Sequence, residues 1–212
     1  MNERDLIYKI TTLYRTARKS KFPNKKIKRG RSHSIASSVE DLFARFLMNK
    51  AKPGLIYVDQ PISIEGFKTQ NYPDISIVHN NIITAFCDLK IDMGWNRTGL
   101  FSLCKKQNKW IGNVVGKKCK IRDGVTKTDS FYHTSGGATY NIVLISSQNI
   151  NQALLNKQIQ NSKRFNPKVE VFILTSGEHP NTYGISIKNL MKKILINKSE
   201  FKRLFEKLSK AK

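Results

Sequence analysis

Apolar residues recur at helical spacing in some stretches of this chain and alternate or run together in others, and the changes of period mark out its elements. Leu6, Ile7, Ile10, Leu13, Tyr14 and Ala17 fall three or four apart, which predicts a short amphipathic helix over residues 3 to 18. The same spacing links Ile35, Val39, Leu42, Phe43, Phe46 and Leu47 and predicts a second helix with one buried side, capped by Ser32 or Ser34. Pro53-Gly54 makes a turn, and Leu55 to Ile64 then reads as a strand. Ile75 to Val78 and Ile82 to Cys87 are strand-type runs separated by His79-Asn80-Asn81, a turn composition, so they predict an antiparallel hairpin.

Beyond the hairpin, 94 to 99 reads as a loop and Leu100 to Ile111 as a helix, followed by a Gly-bounded basic stretch from Gly116 to Arg122. His133 to Gly137 reads as a polar loop at the edge of an active site, and Tyr140 to Ile145 as the best buried strand. A helix over 151 to 163, a strand from Val169 to Thr175, a loop from Ser176 to Thr182, and helices near 188 to 196 and 199 to 210 complete the pattern. Ser199 is the expected cap of the last one. Strands that begin as a hairpin and later alternate with helices imply an α/β fold, a central mixed β-sheet flanked by helices. The length suits one domain, 1 to 212, with no internal repeat.

Charge adds a partner. Lys and Arg number 38 against 15 Asp and Glu, a formal net charge of +23, which calls for a polyanion, most simply nucleic acid. From Arg15 to Arg31 nine of seventeen residues are basic, so this segment reads as a mobile loop that orders on phosphates. Lys25, Lys26, Lys28, Arg29 and Arg31 within it are candidate DNA contacts, as are Asn96 and Arg97. Lys105, Lys106 and Lys109 form a DNA-facing wall, joined by Lys117 and Lys118. Most are expected to touch phosphate rather than bases. Charge alone does not separate DNA from RNA, or an enzyme from a packaging protein. Cys87, Cys104 and Cys119 are odd in number and widely spaced, so neither zinc nor disulfides are expected. No apolar run approaches a membrane span, and the expectation is a cytoplasmic protein.

One constellation carries chemistry. Asp88 and Lys90 stand two apart at the end of a strand-type run, so both side chains leave the same face. A hairpin turning near Asn80 brings Asp74 back toward Asp88. Two facing carboxylates suit a hard ion such as magnesium, and a neighbouring ammonium can orient water or stabilise charge on phosphorus. At about 100 degrees per residue, Glu40 falls on the border of its helix's buried stripe while Asp41 points away. A competing use of Glu40 is a capping box with Ser37. The neighbours His133 and Ser135 lack the glycine-flanked elbow of a serine nucleophile, so they are not read as catalytic.

The order Glu40, Asn71-Tyr72-Pro73-Asp74, Asp88-Leu89-Lys90 resembles the PD-(D/E)xK nuclease superfamily, and within it the blunt-cutting type II restriction endonucleases, over residues 35 to 91. The resemblance implies that Asp74 and Asp88 bind the metal and that the carbonyl of Leu89 adds a ligand. Glu40 then completes the site or holds a second ion, and Lys90 serves the attacking water. It further implies a magnesium-dependent endonuclease of double-stranded DNA that leaves 5'-phosphate and 3'-hydroxyl ends. Cutting both strands of a palindrome is simplest for a homodimer. The rivals are a structure-selective nuclease, such as a junction resolvase or repair enzyme, and a nucleic-acid-binding protein without catalysis.

Overall fold

The computed structural model describes residues 1–22, 24–26, 30–67, 70–91, 93 and 99–209. The first helix, α1 (Glu3–Ala17), opens on a capping box between Asn2 and Asp5. α2 (Ala36–Lys50) follows, and β1 (Leu55–Val58) leads to an interruption that the apolar text of 55 to 64 did not announce. Asp59 adopts a left-handed φ of 48° and Pro61 follows it, so the expected single strand breaks in two. Its second piece, β2 (Ile62–Ile64), leaves for the far side of the sheet, where it pairs with β3 (Gln70–Asn71).

β4 (Ile75–His79) and β5 (Ile82–Lys90) form the expected antiparallel hairpin. Asn80 and Asn81 both take positive φ, 48° and 61°, as a two-residue turn matched to the strand twist requires. β1 adds to the outer side of β4, with Val58 opposite Ile75. After α3 (Gly99–Val114) come β6 (Lys118–Arg122) and β7 (Asp129–Leu144). β7 pairs antiparallel with β6 along its first half and parallel with β5, then parallel with β8 (Val169–Ile173) along its second half. β2 joins the free side of β6, which closes the order β1-β4-β5-β7-β6-β2-β3 with β8 beside β7. The chain is therefore an α/β protein with a mixed central sheet.

The supposed loop from His133 to Gly137 lies within β7. Pairing with β5 shifts between Thr134 and Thr139, and the two glycines fall in that irregularity. His133 pairs with Ile82 at the turn end of the hairpin, so this segment sits away from Asp88. The basic stretch after Gly116 is likewise a strand, β6. Between β7 and β8 runs α4 (Gln152–Ser162), capped by Asn151 and continued by one 3-10 turn, Lys163–Phe165. Past β8, Thr175–Gly177 (β9) pairs with Ile194–Ile196 (β10) in a small second sheet, so the helix expected to reach 196 stops earlier, as α5 (Ile187–Lys193). α6 (Lys198–Ser209) is capped by Asn197, whose side-chain oxygen accepts from the Ser199 hydroxyl and the Glu200 amide. Ser199 is thus inside the helix it was expected to cap.

Helices cover both sheet faces. On one, α1, α2, α5 and α6 bring Leu6, Phe43, Phe46, Leu190 and Phe201 against Ile75, Ile77, Ala85 and Cys87. On the other, α3 and α4 bring Leu100, Cys104, Trp110 and Leu155 against Val78, Phe86, Tyr140 and Ile142. Each such large side chain, fully removed from water, contributes about 1.5–3 kcal/mol. The three cysteines are free and buried, and burial raises each thiol pKa. Among the described residues no helix is long and apolar enough to cross a membrane.

Candidate active site

Antiparallel pairing of β4 with β5 sets Ile75 opposite Cys87, so the residues just beyond that pair, Asp74 and Asp88, meet at the same end of the hairpin. Lys90 stands two residues past Asp88 and turns to the same face. Its Nζ lies 3.7 Å from Asp74 Oδ2 and 4.0 Å from Asp88 Oδ2. One ammonium therefore sits between carboxylates contributed by two neighbouring strands. The Leu89 amide donates to Asp74 Oδ2 at 2.5 Å.

Asp88 is 5% exposed and accepts two bonds that fix its plane. The Tyr140 hydroxyl donates to Oδ1 at 2.7 Å, and Gln107 Nε2 donates to Oδ2 at 3.2 Å. Gln107 is itself held by Asn71, whose Nδ2 donates to its Oε1 at 3.4 Å. The Tyr140 ring packs 6.0 Å from Phe86 and 5.7 Å from Trp110, which locks the phenol in place. Burial, and next the charge of Asp88, lift the Tyr140 pKa well above its ordinary value, so the hydroxyl remains a donor.

Glu40 leans toward this site from α2. Burial first, then the charges of Asp74 and Asp59, raise its pKa to about 7, with Lys90 pulling the other way. α2 begins at Ala36, which puts Ser37 inside the first turn, and the Ile35 cap makes no side-chain bond. The N-cap position thus falls on Ile35 rather than on Ser32 or Ser34, and Ser37 forms no capping box. The Ser34 hydroxyl, one residue earlier, still accepts from the Ala36 amide at 3.3 Å and so satisfies the first helical N–H. Asp41 is exposed on the far side. The Asp74 carboxyl is also raised, by burial and by Asp88, against the pull of Lys90 and the Leu89 amide.

Sequence reasoning missed Asp59, Gln107 and Tyr140, and gave Asn71 no role beyond its place in the motif. Asp59 follows Val58 on β1, and its amide donates to the Asp74 carbonyl at 3.0 Å, so three acids stand in a row across β1, β4 and β5. Gln107 did leave a trace: it occupies an apolar position in the stripe Leu100, Cys104, Ile111, Val114 of α3. A polar residue there needs an internal partner.

Asp74 and Asp88 beside Lys90, with Asp59 close enough to act on both Asp74 and Glu40, make this a locally acidic place in a chain of net charge +23. Among the described residues, no three His, Cys, Asp or Glu side chains group closely enough to cage a metal unaided. Magnesium does not require such a cage, since it binds through one or two carboxylates and completes its shell with water and phosphate oxygens. The oxygen donors of Asp74 and Asp88, already arranged about a cation, fit it. Each carboxylate oxygen of Asp88 accepts one hydrogen bond and keeps a lone pair.

Of the candidate DNA contacts, Lys25, Lys26, Arg31, Lys105, Lys106, Lys109, Lys117 and Lys118 are exposed. Lys118 also pairs with Glu65 at 4.0 Å and lies over the Phe131 ring. Lys28, Arg29, Asn96 and Arg97 lie outside the described residues. Within the basic segment, Arg15 bonds the Ile185 carbonyl, and Arg18 bonds Asn181 and stacks on Tyr183, so these two arginines serve the fold. Comparison with known proteins found no matching family model, curated protein or solved structure.

Proposed function

We propose that this chain is a magnesium-dependent endonuclease of double-stranded DNA, of the type II restriction kind and acting in the cytoplasm. The observation that carries the reading is the Lys90 ammonium, within 4.0 Å of carboxylates from two adjacent strands. A surface ion pair needs only one acid; a lysine between two buried or half-buried acids is the arrangement a phosphodiester hydrolase uses. The meander β1-β4-β5 followed by parallel β7 and β8 supports a restriction-endonuclease-like fold.

Asp74 and Asp88 would hold the magnesium, which would supply Lewis-acid charge at the phosphate. Tyr140 and Gln107 hold Asp88 in one orientation, and the Leu89 amide holds Asp74. Glu40, its pKa near neutrality, is placed to take a proton or complete the ligand set. Lys90 orients the attacking water and faces the charge that builds on the phosphate oxygens. The new P–O bond forms in line as the 3' oxygen leaves, giving 5'-phosphate and 3'-hydroxyl ends. Two symmetric copies account for cutting both strands.

The test is supercoiled plasmid incubated with magnesium or with EDTA. Cleavage is expected only with magnesium, and Asp88→Ala and Lys90→Ala abolish it while retaining DNA binding. Discrete fragments identify a restriction enzyme, whereas preference for branched DNA identifies a structure-selective nuclease. Binding of varied DNAs without nicking overturns the enzyme reading.

A further inference from the structure

The fifteen carboxylates of the chain are unevenly placed: none lies between Asp92 and Asp123, or between Asp129 and Glu170. Those two gaps contain α3, α4 and the 3-10 turn after it, the whole helical layer on one face of the sheet. Lys105, Lys106, Lys109, Lys157, Lys163 and Arg164 are exposed on it. Among the described residues no carboxylate lies within ion-pair distance of any of the six. Some cations elsewhere have an acid beside them: Lys50 with Glu3, Lys120 and Arg122 with Asp129, Arg203 and Lys207 with Glu170. Glu170, the acid that borders this layer in sequence, is thereby already neutralised by α6.

The layer is braced. The Phe101 amide donates to Gln158 Oε1 at 3.3 Å, tying the start of α3 to α4. The rings of Phe101 and Phe165 lie 5.8 Å apart, and the Arg164 guanidinium rests over them at 4.6 and 5.1 Å. An exposed arginine held this way loses little freedom on meeting an anion. None of the large hydrophobic side chains exposed on the molecule belongs to α3 or α4, so the face offers no platform for unpaired bases and no wedge for a membrane. Uncancelled, ordered cations without aromatic platforms match a duplex phosphate backbone. The same α3 sends Gln107 inward to Asp88.

We propose that the outer face of α3, α4 and the following turn docks the phosphate backbone of duplex DNA flanking the cleavage site. This rests on the nuclease reading for the identity of the polymer, and it extends the contact surface to Lys157, Lys163 and Arg164. The test measures binding of a labelled 30-base-pair duplex in EDTA by fluorescence anisotropy across a salt series. The full chain is compared with the triple variant Lys105→Gln, Lys106→Gln, Lys157→Gln, and with a control triple on the opposite layer, Lys192→Gln, Lys198→Gln, Lys202→Gln. All six lysines are exposed, so both triples keep the fold, which thermal melting verifies.

The first triple is expected to lower the slope of log affinity against log salt by about 0.9 per lost contact and to weaken binding about tenfold or more at 100 mM salt. The control is expected to change affinity less than about twofold. An unchanged slope in the first triple, or an equal loss in the control, overturns the proposal. Tighter binding of duplex RNA than of DNA overturns the assigned polymer. Cleavage is scored separately with magnesium: a chain that binds through this layer but never nicks overturns the nuclease reading and leaves the docking surface standing.

Discussion

The Tyr140 hydroxyl and Asp88 Oδ1 are joined at 2.7 Å across two parallel strands, both side chains buried. A bond to a buried carboxylate contributes about 1.5–3 kcal/mol, and partners that orient a metal ligand typically shift metal affinity 10- to 100-fold. Tyr140→Phe is therefore expected to lower stability by about 2 kcal/mol and to raise the magnesium concentration for half-maximal plasmid cleavage by about tenfold or more. DNA binding in EDTA stays unchanged. A magnesium titration of cleavage checks it, and an unaltered half-saturation point refutes the positioning role.

Among the described residues, Lys90 is the cation within ion-pair distance of Asp74 and Asp88. Lys90→Met leaves the two acids facing each other uncompensated, so the variant should melt lower than the wild type in EDTA at pH 8. Added magnesium should raise its melting temperature by more than it raises that of the wild type. Differential scanning fluorimetry with and without the ion measures both, and equal increments exclude an ion between these acids.

Glu40 makes a pH prediction with a definite sign. Its carboxyl titrates near 4.5 in the unfolded chain and at about 7 in the folded one, raised by burial and by Asp74 and Asp59. Between those values the native state binds more protons than the unfolded state, so stability falls as pH rises through the window. The penalty is complete above about 7. Screening of this partly solvated side chain holds it to on the order of 1 kcal/mol. In metal-free protein, Glu40→Gln should melt higher than the wild type at pH 8 and near it at pH 4.5, by parallel urea titrations.

Arg203 closes the open edge of β8. It bonds the Val171 carbonyl at 2.6 Å, Glu170 at 2.7 Å and Glu200 at 2.8 Å, and its guanidinium lies 4.0 Å from the Phe172 ring centroid. Arg203→Ala strips a partner from a strand edge and from the buried side of Glu170. The expected loss is about 1–3 kcal/mol, together with concentration-dependent association through the bared edge. Chemical denaturation and light scattering read the two effects independently.

The hairpin was legible because local signals agree on it: Asn80-Asn81 supplies the positive φ pair, and the runs either side are long enough to fix register. That register put Asp74, Asp88 and Lys90 together. Local text failed wherever the backbone turned against it. Leu55 to Ile64 reads as continuous, yet Asp59 bends it and β2 departs to another partner. Ile194 to Ile196 continues the apolar spacing of α5 but pairs with β9, a choice made by tertiary contact. Gly136-Gly137 resembles a loop and is an irregularity in a long strand. The grip of Gln107 and Tyr140 on Asp88 spans 19 and 52 residues, a relation no window of sequence contains.

β7 is one unbroken 16-residue strand shared by β5, β6 and β8. Its first half anchors the outlying ribbon of β6, β2 and β3, and its second half lies at the heart of the parallel region beneath Asp88. Neither region owns a separate backbone, so loosening one must drag on the other. Heating should therefore melt the molecule in a single transition, and amides of β2 and β6 should exchange with deuterium in step with those of β5.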